Sequence, residues 1–230
     1  MIDALSDNRQ SRDAILGRVR KALARDTTDS RAQADAEAYV GEHAVGPRPA
    51  MPADLVARFM ERAVDMASTV ERIGSIADAP RAVARYLDAL QLSPELADQK
   101  TRAGVCWPEF GALDWASVGL AIESRPTVGH DRLGITGSFC AIAETGTLVM
   151  TTGPDTPTAT AMLPDTHVAV VREGRIVSGM EEAFALVRAE SGPMPRAVHL
   201  ISGPSRTGDI EQTIVLGAHG PFRMHILLTP

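Results

Sequence analysis

Two Gly-rich segments carry most of the side chains in this sequence that could bind or transform a ligand. The first is Ala143-Glu-Thr-Gly-Thr-Leu148, and the second is Ile201-Ser-Gly-Pro-Ser-Arg-Thr-Gly-Asp-Ile-Glu211. Each follows an apolar, strand-like run, and each offers hydroxyls, carboxylates and glycines where open α/β sheets place their binding groups. The two segments therefore predict where a site lies, and they leave its chemistry open.

Glu144 is the catalytic candidate of the first segment. It lies between two apolar runs, where a partly desolvated carboxylate can act as a general base, an acid or a nucleophile. Gly146 would let a ligand or a backbone segment approach closely, and Thr145 and Thr147 add hydroxyls for ligand binding. A structural role, in which Glu144 accepts backbone N–H bonds at a strand corner, also fits the pattern.

The second segment is typical of an anion site. A strand over 197–202 would lead through a tight loop into a helix over 207–216, whose first N–H groups would face a carboxylate or a phosphate. The residues expected to bind this anion are Ser202, Gly203, Ser205, Arg206, Thr207 and Asp209. Asp209 could instead favour the helix dipole or pair with Arg206.

His219 is the second catalytic candidate, because it lies between glycines just before the last predicted strand. There it could face the same crevice as Arg206 and act as an acid or a hydrogen-bond donor, although a turn histidine has the same pattern. The histidines show neither H-x-x-x-H nor H-E-x-x-H spacing, so we predict no metal site. The sequence also lacks a Walker A motif and a G-x-G-x-x-G fingerprint, so we predict no cofactor bound by a recognisable motif.

The elements that must position these residues alternate between helical and strand patterns. Apolar residues at helical spacing predict helices over 11–25, 53–68, 79–90 and 179–190. Short apolar runs predict strands over 69–73, 103–107, 118–124, within 134–150, and over 167–172, 175–177, 197–202 and 223–229. The alternation favours an α/β fold with a mostly parallel sheet and helices on both faces, plus an edge hairpin at Glu173-Gly174.

The chain divides into an N-terminal appendage and a main domain. We assign residues 1–52 to an amphipathic helix and an extended linker, because 26–52 are rich in Asp, Ala, Gly and Pro and sustain no periodicity. Residues 53–230 form the main domain, and with 44% hydrophobic residues in the chain they can bury a large core.

Composition narrows the possible partners and the cellular location. A formal charge of −6 with only two lysines, Lys21 and Lys100, argues against a nucleic-acid partner. No apolar run approaches the roughly 20 residues that cross a bilayer, and the first residues lack a secretory pattern, so we expect a cytoplasmic protein without membrane binding. Cys106 and Cys140 lie in apolar surroundings and predict buried thiols, which are too few for the usual iron–sulfur cluster.

Three motifs together resemble the lactate utilization protein C family (LutC), which is built on the LUD domain. They are Ala141 to Leu148, Leu163-Pro-Asp-Thr-His167, and Ile201 to Glu211 with Gly217-Ala-His-Gly-Pro221, in the family's order over about residues 53–230. The resemblance implies a role in oxidising L-lactate to pyruvate with LutA-like and LutB-like iron–sulfur proteins. The clusters would lie on those partner chains. From the loop over Ser202 to Thr207 we expect the ligand to be a small anionic metabolite, and a homo-oligomer is possible.

The LUD domain also resembles the NagB/RpiA/CoA transferase-like fold. CoA transferases of that group use a Glu in a short Glu-x-Gly context as nucleophile, and Glu144-Thr-Gly146 has that shape. Our leading hypothesis is a subunit or accessory protein of a lactate-oxidising complex. Two alternatives stay open: a free-standing CoA-transferase-like or sugar-phosphate isomerase-like enzyme that uses Glu144, and a non-catalytic module that assembles the iron–sulfur partners.

Overall fold

A computed structural model describes residues 2–23, 30–90, 102–210, 213–217 and 219–230. The chain forms two compact units, Met1–Pro49 and Ala50–Pro230. The first unit contains helices α1 (Ile2–Leu23) and α2 (Ser30–Glu42). Helix α1 confirms the helix predicted from residue 11 onward and begins earlier, while residues 24 and 25 of that prediction lie outside the described part of the chain.

Helix α2 lies in the stretch that the sequence predicted to be an extended linker, and that prediction was wrong for Ser30–Glu42. Alanine is the strongest helix former, and it occupies every second position from Ala32 to Ala38. Proline, which would interrupt a helix, first appears at Pro47, beyond the end of α2.

The second unit contains both helices and strands, but the regular alternation that the sequence predicted is interrupted, because strands follow one another without an α-helix between them over 103–151 and among the described residues of 198–229. Its described helices are α3 (Leu55–Asp65), α4 (Ala79–Ala89), α5 (Ala159–Met162) and α6 (Met180–Glu190). Its described strands are β1 (Thr69–Arg72), β2 (Ala103–Cys106), β3 (Ala121–Ser124), β4 (Leu133–Thr136), β5 (Cys140–Ile142), β6 (Thr147–Thr151), β7 (Thr166–Arg172), β8 (Ile176–Val177), β9 (Val198–Ile201), β10 (Arg206–Ile210), β11 (Thr213–Leu216) and β12 (Arg223–Thr229).

Six strands form one parallel sheet in the order β1-β12-β7-β4-β2-β3. Strand β7 is buried from Thr166 to Val171, as expected for a central strand covered on both faces. The sheet confirms the predicted α/β fold with a mostly parallel sheet.

The two faces of this sheet are covered differently. Side chains of α4 such as Val83 and Leu87 share a core with Val168, Val170 and Leu227. On the other face, α3 and a second sheet of order β8-β5-β6-β9 share a core with alternate residues of β7 and β12. That core includes Phe59, Ala63, Ala141, Leu148, Ala169, Val171, Ile226 and Leu228. The sequence did not predict this second, mixed sheet.

The predicted edge hairpin at Glu173-Gly174 was wrong. A 3-10 turn over Glu173–Arg175 instead connects β7, in the parallel sheet, with β8, which pairs parallel to β5 in the second sheet. Arg175 holds the chain at the second sheet, because its Nε donates to the carbonyl of Phe139 (3.0 Å) and its other nitrogens donate to both carboxylate oxygens of Glu190 (2.7 and 2.9 Å).

The predicted helix over 207–216 was also wrong. Strands β10 and β11 pair antiparallel there, with Arg206 opposite Leu216. Branching at Cβ restricts side-chain rotation in a helix and suits a strand. The β-branched residues of the two strands are Thr207, Ile210, Thr213, Ile214 and Val215.

Both cysteines are free and buried, as predicted. Burial raises the pKa of Cys106 to about 11 and that of Cys140 to about 11, so both are thiols at neutral pH. In the described part of the chain, no helix is both long enough and apolar enough to cross a membrane.

Two histidines are built into the parallel sheet as neutral groups. His167 is completely buried, with its Nε2 2.8 Å from Thr136 Oγ1, and burial lowers its pKa to about 4. His225 stacks on Tyr86 with ring centroids 4.2 Å apart, and its Nδ1 lies 2.8 Å from Thr69 Oγ1. Burial lowers the pKa of His225 to about 4, although Glu71 acts in the opposite direction.

We expect the free energy of unfolding to fall as the pH is lowered from 7 to 5. The unfolded chain takes up a proton on each of these histidines near pH 6.5, whereas the folded protein does so only near pH 4. The stability that each neutral histidine contributes above pH 6.5 is therefore lost as the pH falls towards 4. Each buried histidine should account for about 2 kcal/mol of this loss. Urea unfolding at both pH values should show a smaller loss for His167→Gln and for His225→Gln than for the wild type, and an equal loss in all three proteins would contradict the assignment.

Candidate functional site

Strands β6 and β9 bring the two Gly-rich segments together. They pair antiparallel with Leu148 opposite Ile201, so Thr147 and Ser202 face each other at the next position along the two strands. The hydroxyl oxygens of Thr147 and Ser202 are 2.6 Å apart. Residues of both predicted segments therefore meet at one end of the second sheet.

A third hydroxyl extends this contact. Thr145 Oγ1 lies 2.7 Å from Thr147 Oγ1, so the oxygens of Thr145, Thr147 and Ser202 form a continuous series, which we call the hydroxyl chain. Its two ends, Thr145 and Ser202, are exposed, whereas Thr147 in the middle is only 4% exposed. The hydroxyl chain thus leads from the turn that contains Glu144 to the end of β9.

The last turn of α3 lies directly on the turn with Gly146, and the residue after the helix, Met66, lies directly on the turn with Gly203. Gly146 has a φ of +66°, and a Cβ added there would lie 2.5 Å from the backbone nitrogen of Ala63. Gly203 has a φ of +83°, and its Cβ would lie 2.1 Å from the carbonyl oxygen of Met66. Only glycine fits such a backbone conformation and so close an approach without strain.

Helix α3 is itself firmly placed. The Asp54 carboxylate accepts the N–H of Ala57 at 2.9 Å and caps the helix at its start. Phe59 and Ala63 are fully buried in the core that α3 shares with both sheets. The position of the two Gly-rich turns therefore depends on a helix held by core packing.

A cavity of about 250 Å³ opens beside Ser202. Its polar side chains are those of Ser202, Ser205 and His219, and its remaining lining is apolar or glycine. The backbone N–H of His219 donates to Ser205 Oγ (3.4 Å), and the N–H of Ser205 donates to the carbonyl of Pro221 (2.9 Å). These bonds join the loop after β9 to the loop before β12.

The structure separates other predicted ligand-binding residues from this cavity. Arg206 begins β10 with an exposed side chain, and it is not among the described residues that line the cavity. Thr207 is half-buried on the same strand, and the side chain of Asp209 lies outside what the structure describes. Because Arg206–Ile210 and Thr213–Leu216 are strands, the helix N-terminus expected at residue 207 cannot contribute to anion binding.

Glu144 lies in the tight turn between β5 and β6. Its side chain is half-buried, its N–H donates to the carbonyl of Ser178 (3.0 Å), and the N–H of Gly146 closes the turn on Ile142 (3.0 Å). Glu144 belongs to the turn that carries Thr145 and Thr147, and the described lining of the cavity does not include it.

Sequence reasoning missed the apolar walls of the cavity. They include Met162 of α5, Leu200 of β9 and Pro221, which are far apart in sequence and carry no chemical signature. It also placed the segments in the crevice of a parallel sheet, whereas the first lies in the mixed second sheet and the second runs from the end of that sheet, at β9, into the separate two-stranded sheet of β10 and β11. Across the described ranges, no three His, Cys, Asp or Glu side chains lie close enough together to hold a metal ion.

Comparison with known proteins identifies the family. The LUD domain matches residues 56–229, which is most of the chain. The chain belongs to the LUD domain family. This result agrees with the resemblance carried by the Ala141 to Leu148 and Ile201 to Glu211 motifs.

Several relatives of this LUD protein are named lactate utilization protein C. The one from Deinococcus radiodurans is 30% identical over 189 residues, covering 79% of this chain and 82% of that protein. Those from Bacillus licheniformis and Bacillus subtilis are 31% and 32% identical and cover 51% and 53% of this chain. The chain spans about half the length of these two Bacillus proteins, 50% and 52% respectively.

A solved structure shares the fold of this LUD protein. It is a duf162 family protein from Deinococcus radiodurans, with a TM-score of 0.57 and 24% identity, which covers 79% of this chain and all of that one. The likeness supports the α/β architecture. The finer resemblance to the NagB/RpiA/CoA transferase-like fold stays a prediction.

The contact between α3 and the Gly-rich turns predicts a graded response to alanine. Gly192 has a φ of +65° and open space around it, so Gly192→Ala should cost only the conformational strain, about 1 kcal/mol of unfolding free energy. Gly146→Ala, with nearly the same φ, adds a clash with the α3 backbone and should cost about 2 kcal/mol more.

The same comparison holds for Gly203 and Gly129, whose φ values are +83° and +89°. Gly129 has open space around it, so Gly203→Ala should destabilise more than Gly129→Ala. Urea unfolding of the four variants measures both differences. Equal losses within each pair would show that α3 does not rest on these turns as described.

Proposed function

We propose that this LUD protein is a component of an L-lactate utilization system that oxidises L-lactate to pyruvate together with LutA-like and LutB-like iron–sulfur proteins. The proposal is carried by the family match over residues 56–229, with relatives named lactate utilization protein C. In this proposal the chain binds a small anionic metabolite in the cavity beside Ser202.

The chemistry of the cavity suits a small hydroxy or oxo acid. The hydroxyls of Ser202 and Ser205 and the imidazole of His219 can hydrogen-bond a carboxylate and a neighbouring oxygen. Met162, Leu200 and Pro221 provide apolar surface for a short carbon chain. The volume of about 250 Å³ is ample for a three-carbon acid.

The redox centre belongs to the partners in this proposal. Cys106 ends a strand of the parallel sheet and Cys140 begins a strand of the second sheet, and both are buried as free thiols. A cluster of the usual kind needs about four cysteine thiolates. The two cysteines of this sequence therefore support placing iron–sulfur clusters on LutA-like and LutB-like chains.

Calorimetric titration with L-lactate, pyruvate and inorganic phosphate tests the cavity as the binding site. Removing the Ser202 hydroxyl deletes one hydrogen bond to the ligand, so Ser202→Ala should weaken binding of L-lactate and pyruvate about five- to tenfold. Arg206→Ala is the matched control, because that exposed guanidinium lies outside the described lining and should change affinity less than twofold. If Ser202→Ala binds with wild-type affinity, the cavity is not the binding site. If Arg206→Ala loses much of the affinity, Arg206 belongs to the binding site.

A free-standing acyl-transfer enzyme is the second candidate, favoured by the position of Glu144. This carboxylate is half-buried in a tight turn directly before the hydroxyl chain. As a nucleophile it would attack the thioester carbon of an acyl-CoA, forming an acyl–oxygen bond to Glu144 while the carbon–sulfur bond breaks and the CoA thiolate leaves.

This second function predicts a covalent adduct. Incubation with a panel of acyl-CoA donors should add the acyl mass to the peptide that carries Glu144, and Glu144→Gln should show no such addition because its amide is a poor nucleophile. Mass spectrometry of the digested protein measures both. An unmodified Glu144 across the donor panel excludes the acyl-transfer mechanism and leaves the lactate proposal untouched.

A further inference from the structure

The hydrogen bonds of the hydroxyl chain can run in two directions. A hydroxyl donates one hydrogen bond and accepts others. In the part of the chain that the structure describes, Thr147 Oγ1 has two hydrogen-bond partners, Thr145 and Ser202, at 2.7 and 2.6 Å. Either oxygen of each pair can be the donor. The bonds of the series can therefore run in either direction.

The direction of the hydroxyl chain decides what Ser202 offers to the cavity. When Thr145 donates to Thr147 and Thr147 donates to Ser202, the proton of Ser202 is free to point at a ligand. When the series is reversed, Ser202 donates to Thr147, and its oxygen presents lone pairs to the ligand. Both arrangements keep the nearly buried hydroxyl of Thr147 fully hydrogen-bonded, so neither carries the cost of an unsatisfied buried group.

Ser205 differs from Ser202 in this respect. Its Oγ already accepts the backbone N–H of His219 at 3.4 Å, so a donor to the ligand is the role that remains for its proton. Ser205 thus suits a ligand group that always accepts hydrogen bonds, such as a carboxylate. Ser202 suits a ligand oxygen whose hydrogen-bonding character changes.

We propose that the hydroxyl chain makes Ser202 a reversible donor or acceptor, so that the cavity takes a 2-hydroxy acid and the corresponding 2-oxo acid in the same position. The alcohol donates to Ser202 in one direction of the series, and the ketone accepts from Ser202 in the other. The ligand class rests on the proposed function; the switch rests on the geometry of Thr145, Thr147 and Ser202. Thr147 is a positioning residue that acts through Ser202.

The experiment locks the hydroxyl chain in one direction. Thr145→Val keeps the shape of the side chain but removes its oxygen, so a Thr147 that accepted from Ser202 would leave its own buried proton without an acceptor. Thr147 therefore donates to Ser202, and the proton of Ser202 is left for the ligand. This change favours the ketone. Calorimetry on the full-length protein should show the ratio of the L-lactate Kd to the pyruvate Kd rising about three- to tenfold relative to the wild type.

Three further variants separate this switch from a structural effect. Thr145→Ser keeps the hydroxyl and should keep the wild-type ratio. Thr147→Val removes the hydrogen-bond partner of Ser202, whose hydroxyl can then either donate to the ligand or accept from it. The ratio of the L-lactate Kd to the pyruvate Kd should therefore stay near the wild-type value even if both affinities fall. Ser202→Ala should weaken both acids alike, towards the affinity of propionate, which lacks the oxygen at carbon 2.

A second ligand pair, 2-hydroxybutyrate and 2-oxobutyrate, distinguishes failure of the inference from failure of the proposed function. If L-lactate and pyruvate bind and Thr145→Val leaves their ratio unchanged, the reversible hydroxyl chain is overturned and the lactate proposal survives. If only the four-carbon pair binds and its ratio shifts, the switch is supported and the lactate assignment fails. If neither pair binds the wild type, both proposals are overturned.

Discussion

The C-terminal end of α3 rests on Gly146 and Gly203, and the geometry of the candidate site depends on this contact. The backbone of α3 at Gly146, and of Met66 just after α3 at Gly203, occupies the space that a Cβ would need, and both glycines have positive φ. Phe59 and Ala63 of α3 are buried in the core that the helix shares with both sheets, so the packing of this core also fixes the position of the two turns. The hydroxyls of Thr147 and Ser202, each next to one of these glycines, take their 2.6 Å separation from that support and from the pairing of β6 with β9.

The layered fold also explains where the cavity lies. The six-stranded parallel sheet forms the centre of the second unit. The candidate site lies at the end of the second sheet, where β9 leads into a loop that is hydrogen-bonded to the loop before β12. Loops carried on a rigid scaffold are common places for binding groups. Here the apolar lining comes from α5, β9 and loop residues such as Pro221, while the hydroxyls and the imidazole come from the loops, so the cavity offers both hydrocarbon and hydrogen-bonding groups.

Local patterns were reliable where burial and propensity agree. The apolar run of β7 and the helical spacing of α3 and α4 each describe elements that are buried as their residue types suggest. The errors fall where the patterns conflict. Residues 207–216 follow a Ser-Gly-Pro turn that suggested a helix start, but they are rich in β-branched residues, and the described part of the range forms two paired strands. The Ala-rich stretch within 26–52 resembled a linker because of the glycines and prolines around it.

By itself the sequence determined the α/β class, the buried thiols and the family, because these follow from local periodicity, apolar surroundings and contiguous motifs. It also marked Glu144, Ser202, Ser205 and His219 as residues of interest. Only the tertiary structure decided which of them share a cavity: Ser202, Ser205 and His219 do, while Glu144 and Arg206 lie outside its described lining. The physical reason is that these distances are set by strand register and by the packing of α3, which join residues more than fifty positions apart and leave no trace in local sequence.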